Sequence, residues 1–467
     1  MSATQTRRRQ SAIDNLARWL DQRLDLASGS KKYLNKAFPA HWSFLLGEVA
    51  LFSLVVLLFT GTFLALFYTP DARTVIYDGP YAPLQGAEIS AAYNSTLRLS
   101  FEVRAGLLMR QIHHWAALVF VAAIVAHMLR VFFTGAFRKP RELNWVIGVG
   151  LLLLAFAAGF TGYSLPDDLL SGTGLRIGYS VVLGIPFIGP LLGFLLLGGE
   201  YPGTDTISRL HIAHVMLIPA GLLGLLGAHL AILIRQKHTH KPSKLAREDN
   251  VVGEPLFPSQ TLTTLSLGAF TIAVLSLLGG LFEINPVWLY GTYEPYEVFA
   301  PAQPDWYMGW TEGLVRLWPA WEWTVFGVTI PSTLLPAVGI GGVIFTTMFL
   351  WPWIDKKWVG RDDLEHHLLE RPRDNPLRTG IGVAALTLMA VIFVAGSNDV
   401  IASNLTMGLQ TLTNVLRVAC FVLPPIAGWL AYRMARSLQA SEVSPLEQKA
   451  QAADASGGAK TSEAEPR

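Results

Sequence analysis

Two apolar stretches, each long enough to cross a membrane and each carrying a spaced pair of histidines, leave this chain few ways to fold. The first, from Arg110 to Arg130, reads RQIHHWAALVFVAAIVAHMLR and holds His113 and His127, fourteen positions apart. At about 1.5 Å rise per residue, fourteen positions span roughly 21 Å and nearly four turns. The two imidazoles therefore leave nearly the same helix face, one toward each edge of a hydrocarbon core about 30 Å thick. The second stretch, RLHIAHVMLIPAGLLGLLGAHLAIL, repeats the device with His214 and His229, fifteen apart. Packed side by side, two such helices bring four histidines into two pairs at two depths. Two facing imidazoles on a central metal, twice over, suit a stack of two b-type haems.

The rest of the chain agrees with a membrane setting. It is 51% hydrophobic and only 15% charged, the balance of a polytopic membrane protein. Eight runs of about 20 uncharged residues read as spans. They cover roughly 45–68, 105–133, 144–163, 208–234, 260–282, 326–351, 380–396 and 413–433. Residues 168–200 are also apolar, but Gly184, Pro186, Gly189, Pro190, Gly198 and Gly199 break them into short interfacial helices. The expected fold class is thus an all-α integral membrane protein of eight transmembrane helices, the first four forming a di-haem bundle. Ahead of them, Ile13, Leu16, Ala17, Leu20 and Leu24 recur at helical spacing among charged residues, which predicts an amphipathic helix on the membrane surface.

Cys420 is the single cysteine, which excludes intrachain disulfides and cysteine-rich iron–sulfur or zinc sites. No CxxCH occurs, so covalent haem by that motif is excluded. The basic start, MSATQTRRRQ, is not closely followed by an apolar core with a cleavage site, and no signal peptide is expected. A net charge of +2 is uninformative, and no nucleic-acid partner is expected.

Lysine and arginine set the expected orientation. They cluster near the N-terminus and in the loops after the second, fourth and sixth spans, while the intervening loops are acidic or sparse in cations. Both termini should therefore be cytoplasmic, in a cell (plasma) membrane crossed many times. Spans two and four then run in the same direction. His113 and His214 lie near the outer face, and His127 and His229 near the inner one. The expected division is 1–40, a cytoplasmic segment with the surface helix; 41–250, the di-haem bundle; 251–436, the second four-helix part; and 437–467, a disordered tail rich in Ala, Ser, Glu, Gln and Lys.

Other residues compete or assist. His114 is about 100° round the helix from His113 and should face elsewhere. His211 is eighteen from His229, about 27 Å, a poorer depth match than His214 but still an alternative. Arg110, Arg130 and Arg209 lie near haem-facing helix ends, where guanidinium groups can pair with propionates or simply snorkel to the interface. Gly47 and Gly61 on span one, and Gly148 and Gly162 on span three, are each fourteen apart. A glycine at each level would let a flat macrocycle approach the backbone, although small residues also serve helix packing.

These features, with GYSLP (162–166), IPFIGP (185–190), PDWY (304–307) and the eight-span layout, resemble cytochrome b of the cytochrome bc complexes, most closely the actinobacterial form. The resemblance covers about residues 30–435. It implies two non-covalent haem b groups on His113, His127, His214 and His229, and a quinol oxidation site at the outer face. There Asp305 would help take a proton from quinol and Tyr307 would line the pocket. It implies the cytochrome b subunit of a respiratory quinol–cytochrome c reductase, an enzyme complex passing electrons to a quinone at the inner face. It further implies a Rieske iron–sulfur subunit, a cytochrome c subunit, a homodimer, a possible terminal oxidase supercomplex, and menaquinol as substrate. The fifteen-residue spacing on span four resembles the chloroplast bf and Gram-positive types. The bf type carries an extra covalent haem on a cysteine where this chain has Leu45, so none is implied. Mitochondrial-type chains have an acid before span five, where this chain reads FPSQ (257–260). The inner proton donors stay open, with His41, Trp42, His238 and His240 at that face. Two rivals are another di-haem membrane anchor of a quinone-linked enzyme, and a haem-free transporter whose histidines relay protons.

Overall fold

The computed structural model describes residues 12–24, 34–39, 41–297, 303–359 and 364–458. Among the described residues, eight helices are long and apolar enough to cross a membrane. They are Leu46–Ala65, Gly106–Phe133, Glu142–Ser164, Thr206–Gln236, Leu256–Leu281, Leu335–Trp358, Pro376–Gly396 and Leu409–Ser441, spans one to eight. The protein is an all-α, multi-pass membrane protein; among the described residues its strands make three two-stranded ribbons. The helix Ala12–Leu24 forms where the amphipathic spacing predicted it. The residues before it lie outside the described residues.

The first four spans share one core. Ala50 and Leu54 of span one meet Phe120 and Ala123 of span two, Val149 and Leu152 of span three, and Leu222 of span four. The alanines among them, Ala50 and Ala123, let helix backbones approach, while the larger side chains fill the space between. The segment between spans three and four is broken as its glycines and prolines require, into helices Leu169–Leu183 and Gly189–Leu197. Asp168 caps the first through its side chain, closing a capping box with Ser171.

Spans five to eight pack on the first four through shared apolar clusters, such as Leu275 with Val56 and Ile112, and through specific hydrogen bonds. Trp145 Nε1 on span three donates to Met348 O on span six at 2.6 Å. At the end predicted to be cytoplasmic, Arg378 donates to both oxygens of Asp355 at 2.8 Å and also reaches Glu370. Arg378 and Asp355 are each 1% exposed, so each charge needs the other. Arg138, from the loop after span two, bonds Glu370 at 3.1 Å and ties that loop in.

Two boundaries differ from the sequence reading. Span six begins at Leu335 rather than 326, because Trp323–Val325 and Val328–Ile330 pair as a hairpin turning at Phe326 and Gly327, both with positive φ. The last helix runs on to Gly458, so 437–458, expected to be disordered, is helical. Its Ala, Glu, Gln, Lys and Leu are strong helix formers. Residues 459–467 lie outside the described residues.

Candidate functional site

The histidines meet in the two expected pairs. The His113 and His214 ring centroids are 6.2 Å apart, and those of His127 and His229 are 6.5 Å apart. A metal between two imidazoles needs two metal–nitrogen bonds of about 2.0 Å and about 1.1 Å more on each side to the centroid, roughly 6.2 Å in all. His214, and not His211, faces His113; the His211 ring instead packs 5.4 Å from Tyr68.

The fifteen-residue spacing on span four is reconciled by a local change of helix. Residues Ala213–Leu217 form a π-helical turn between α-helical segments. In a regular helix at about 100° per residue, fourteen positions fall about 40° short of four turns and fifteen go about 60° past them. A π-bulge absorbs one residue, which restores the fourteen-residue register of span two. Pro219 assists, since it has no N–H to offer the carbonyl of Val215.

Each of the four spaced glycines lies against one imidazole. A Cβ on Gly61 would come 3.1 Å from His113, and one on Gly47 3.3 Å from His127. The same atom on Gly162 would come 2.5 Å from His214, and on Gly148 3.8 Å from His229. What the glycines first admit is therefore the histidine ring. The outer imidazoles are oriented from behind: Thr60 Oγ1 is 2.9 Å from His113 Nδ1, and Thr161 Oγ1 is 3.2 Å from His214 Nδ1. These threonines escaped the sequence reading, though each directly precedes the second glycine of its pair, a repeated Thr-Gly that signals it. The inner imidazoles have no such threonine; His229 has the backbone of Asn144 beside it instead.

A cavity of about 360 Å³ opens between the inner pair, lined by Gly47, His127, Arg130, Gly148 and His229 among others. Arg130 stacks over Phe44 at 4.0 Å, with buried Nε and Nη2 unpartnered. Arg110 donates to Asn285 O at 2.9 Å and likewise keeps Nε and Nη2 buried and unpartnered. Both arginines thus hold donors ready for an anionic group. Arg209 does not. It turns to the end of the helix Gly189–Leu197 and donates to Phe194 O and Leu195 O at 3.3 and 3.1 Å. Helix-terminal carbonyls lack intrahelical donors and attract it there.

The PDWY segment closes on spans two and three. Asp305 accepts from His114 Nε2 at 2.8 Å and from Tyr307 Oη at 3.0 Å. His114, expected to face elsewhere, does turn from the His113 pair, and what it finds is Asp305. Tyr307 is 1% exposed and stacks on Phe156, with centroids 6.1 Å apart. It fits only because residue 159 is glycine, where a Cβ would come 2.3 Å from its hydroxyl. In the IPFIGP turn Phe187 is 84% exposed, and Gly184, just before the turn, lies against Pro331.

Residues 118–292 match the family model described as "Cytochrome b(N-terminal)/b6/petB". The chain is 49% identical over 428 residues to the "Cytochrome bc1 complex cytochrome b subunit" of Corynebacterium diphtheriae, covering 92% of this chain and 79% of that one. It is 49% identical over 429 residues to the protein of the same description in Mycobacterium tuberculosis, covering 92% and 78%. For the one in Streptomyces coelicolor the identity is 44% over 436 residues, covering 93% and 80%. The fold is similar to a chain solved in "Hyperthermophilic respiratory Complex III", with a TM-score of 0.66 and 22% identity over 89% of this chain and 99% of that one.

Proposed function

The chain belongs to the family of cytochrome b subunits of the cytochrome bc1 complex, and from that premise we propose that it oxidises quinol at the outer face and reduces quinone at the inner one. The observation that carries this reading is the pair of facing histidines repeated at two depths, with ring spacings of 6.2 and 6.5 Å.

The residues present fit two haem b groups. His113 with His214, and His127 with His229, offer paired imidazoles, and the buried, unpartnered donors of Arg110 and Arg130 suit propionates. When bound, the haems supply one-electron carriers inside the hydrocarbon core. The protein does the rest. Thr60 and Thr161 hold the outer imidazoles in orientation through Nδ1. Asp305 receives a proton from quinol, held in position by His114 and Tyr307. Tyr307, packed between Phe156 and Gly159, lines the pocket and keeps water from it.

Menaquinol is the substrate in this reading. One electron of each pair leaves to a Rieske iron–sulfur subunit and onward to a cytochrome c subunit. The other crosses to the inner quinone, so that protons are released outside and consumed inside. The assembly is a homodimer in the plasma membrane, able to join a terminal oxidase. No structural observation favours a different di-haem anchor or a haem-free transporter.

A reduced-minus-oxidised spectrum of the purified complex tests the reading. Two b-type components are expected, with a Rieske protein and a cytochrome c co-purifying. A protein free of b-type absorbance overturns it.

A further inference from the structure

The start of span five carries no acid, yet a carboxyl group does reach it. Glu48, on the first turn of span one, accepts a hydrogen bond at Oε1 from Gln260 Nε2 at 3.2 Å. Gln260 is the last residue of FPSQ, 6% exposed, and its amide also lies 3.3 Å from Thr264 Oγ1, one turn further along. Glu48 Oε2 is buried and without a partner. Glu48 and Thr264 both line the inner cavity of about 360 Å³ that runs up to His127 and His229.

The other titratable groups lining that cavity are Arg130, Arg141, His127, His229 and His238. The two arginines do not give up protons at neutral pH. His127 and His229 face one another across the inner site. His238 is pushed down to about 4 by burial and by the neighbouring Lys36, Arg141 and Arg130, so its acidic imidazolium form is scarce at neutral pH. Glu48 is left as the acid of the cavity.

We propose that Glu48 is the proton donor to the quinone reduced at the inner face, oriented by Gln260 and Thr264 of span five. This rests on the functional reading above. Reduction of one quinone to quinol takes two electrons and two protons. The electrons come from quinol oxidised at the outer face, one from each of two turnovers. Each electron is matched by one proton passed from the Glu48 carboxyl to a quinone oxygen. The carboxylate left behind is reprotonated from cytoplasmic water at the rim beside Arg130 and His238 before the next transfer.

The test uses the intact complex with its b haems chemically reduced, mixed rapidly with a short-chain menaquinone analogue. Reoxidation of the b-type absorbance should be at least about 10-fold slower in Glu48→Gln, the usual scale for losing a general acid. Glu48→Asp should recover part of the rate, and reduction of the haems from the outer site should stay at the parent rate. In the parent, the infrared difference spectrum between oxidised and reduced quinone should contain a protonated-carboxyl C=O signal that Glu48→Gln removes. That measurement stands on the parent alone should the variant fail to assemble. Parental reoxidation in Glu48→Gln, or a parent spectrum without the carboxyl signal, overturns the proposal while leaving the functional reading intact. A parent without b-type absorbance overturns the reading itself, and the proposal with it.

Discussion

His114 Nε2 lies 2.8 Å from Asp305 Oδ1, two residues separated by 191 positions of chain. Their side chains are 15% and 16% exposed, so the bond forms at the edge of a pocket, within reach of water. With Tyr307 Oη at 3.0 Å on the other oxygen, the carboxylate is held from two sides. Asp305→Asn keeps the size and loses the charge. Quinol oxidation should slow by about 10-fold or more, with haem content unchanged. His114→Leu keeps the charge but frees the side chain, and should cost less than Asp305→Asn. Steady-state cytochrome c reduction by quinol checks both; an Asp305→Asn protein at the parent rate across the pH range makes Asp305 a turn residue only.

His127 and His229 pair at 6.5 Å without a threonine hydroxyl behind either ring. His127→Leu should remove the inner b component and leave outer b absorbance. An unchanged two-component redox titration in that variant refutes the assignment.

The four glycines should not respond alike to a methyl group. Gly162→Ala drives Cβ to 2.5 Å from the His214 ring, which is pinned by Thr161 and by the carbonyl of Ala158. Overpacking of this kind costs about 1–3 kcal/mol, and the outer b component should fall. Gly148→Ala meets the His229 ring at 3.8 Å, an ordinary contact, and should keep the parent spectrum. Equal haem loss in both variants would mean that the glycines act through the macrocycle instead of the imidazole.

Asp168 is fully buried between spans three and four, and burial raises its carboxyl to about 6 despite the hydrogen bond from Ser171. A folded-state value above the unfolded one of about 3.9 stabilises below the unfolded value, and that stability is lost as pH rises through about 6. The loss is on the order of 2–3 kcal/mol for about two units. Amide protection around Asp168 and Ser171, corrected for the intrinsic pH dependence of exchange, should therefore fall between about pH 4 and 6, and Asp168→Asn should flatten the dependence. Protection that does not change with pH in the parent counts against it.

The cation-rich loops predict that both termini are cytoplasmic. A reporter fused after Arg467 should be active only if it folds inside the cell; activity confined to the outer compartment reverses the whole orientation.

Spans, their number and the histidine pairs were legible because each depends on a local property. Transfer of some twenty apolar residues into hydrocarbon is summed along one helix, and the depth of His113 or His127 follows from rise per residue. The same arithmetic favours His214 and keeps His211 as an alternative, since it treats span four as regular. The π-turn at Ala213–Leu217 settled which of them faces His113, and a bulge of that kind follows from how the helix is packed.

Hydropathy and helical rise alone call for an eight-helix membrane protein with four histidines at two depths. The places of the remaining polar groups come from tertiary packing. His114 meets Asp305, Glu48 meets Gln260, and Arg209 turns to the carbonyls of Phe194 and Leu195. Each buried polar group must find a partner away from water, and which partner lies within about 3 Å depends on how separate helices and loops come together, a relation that no local period along the chain records.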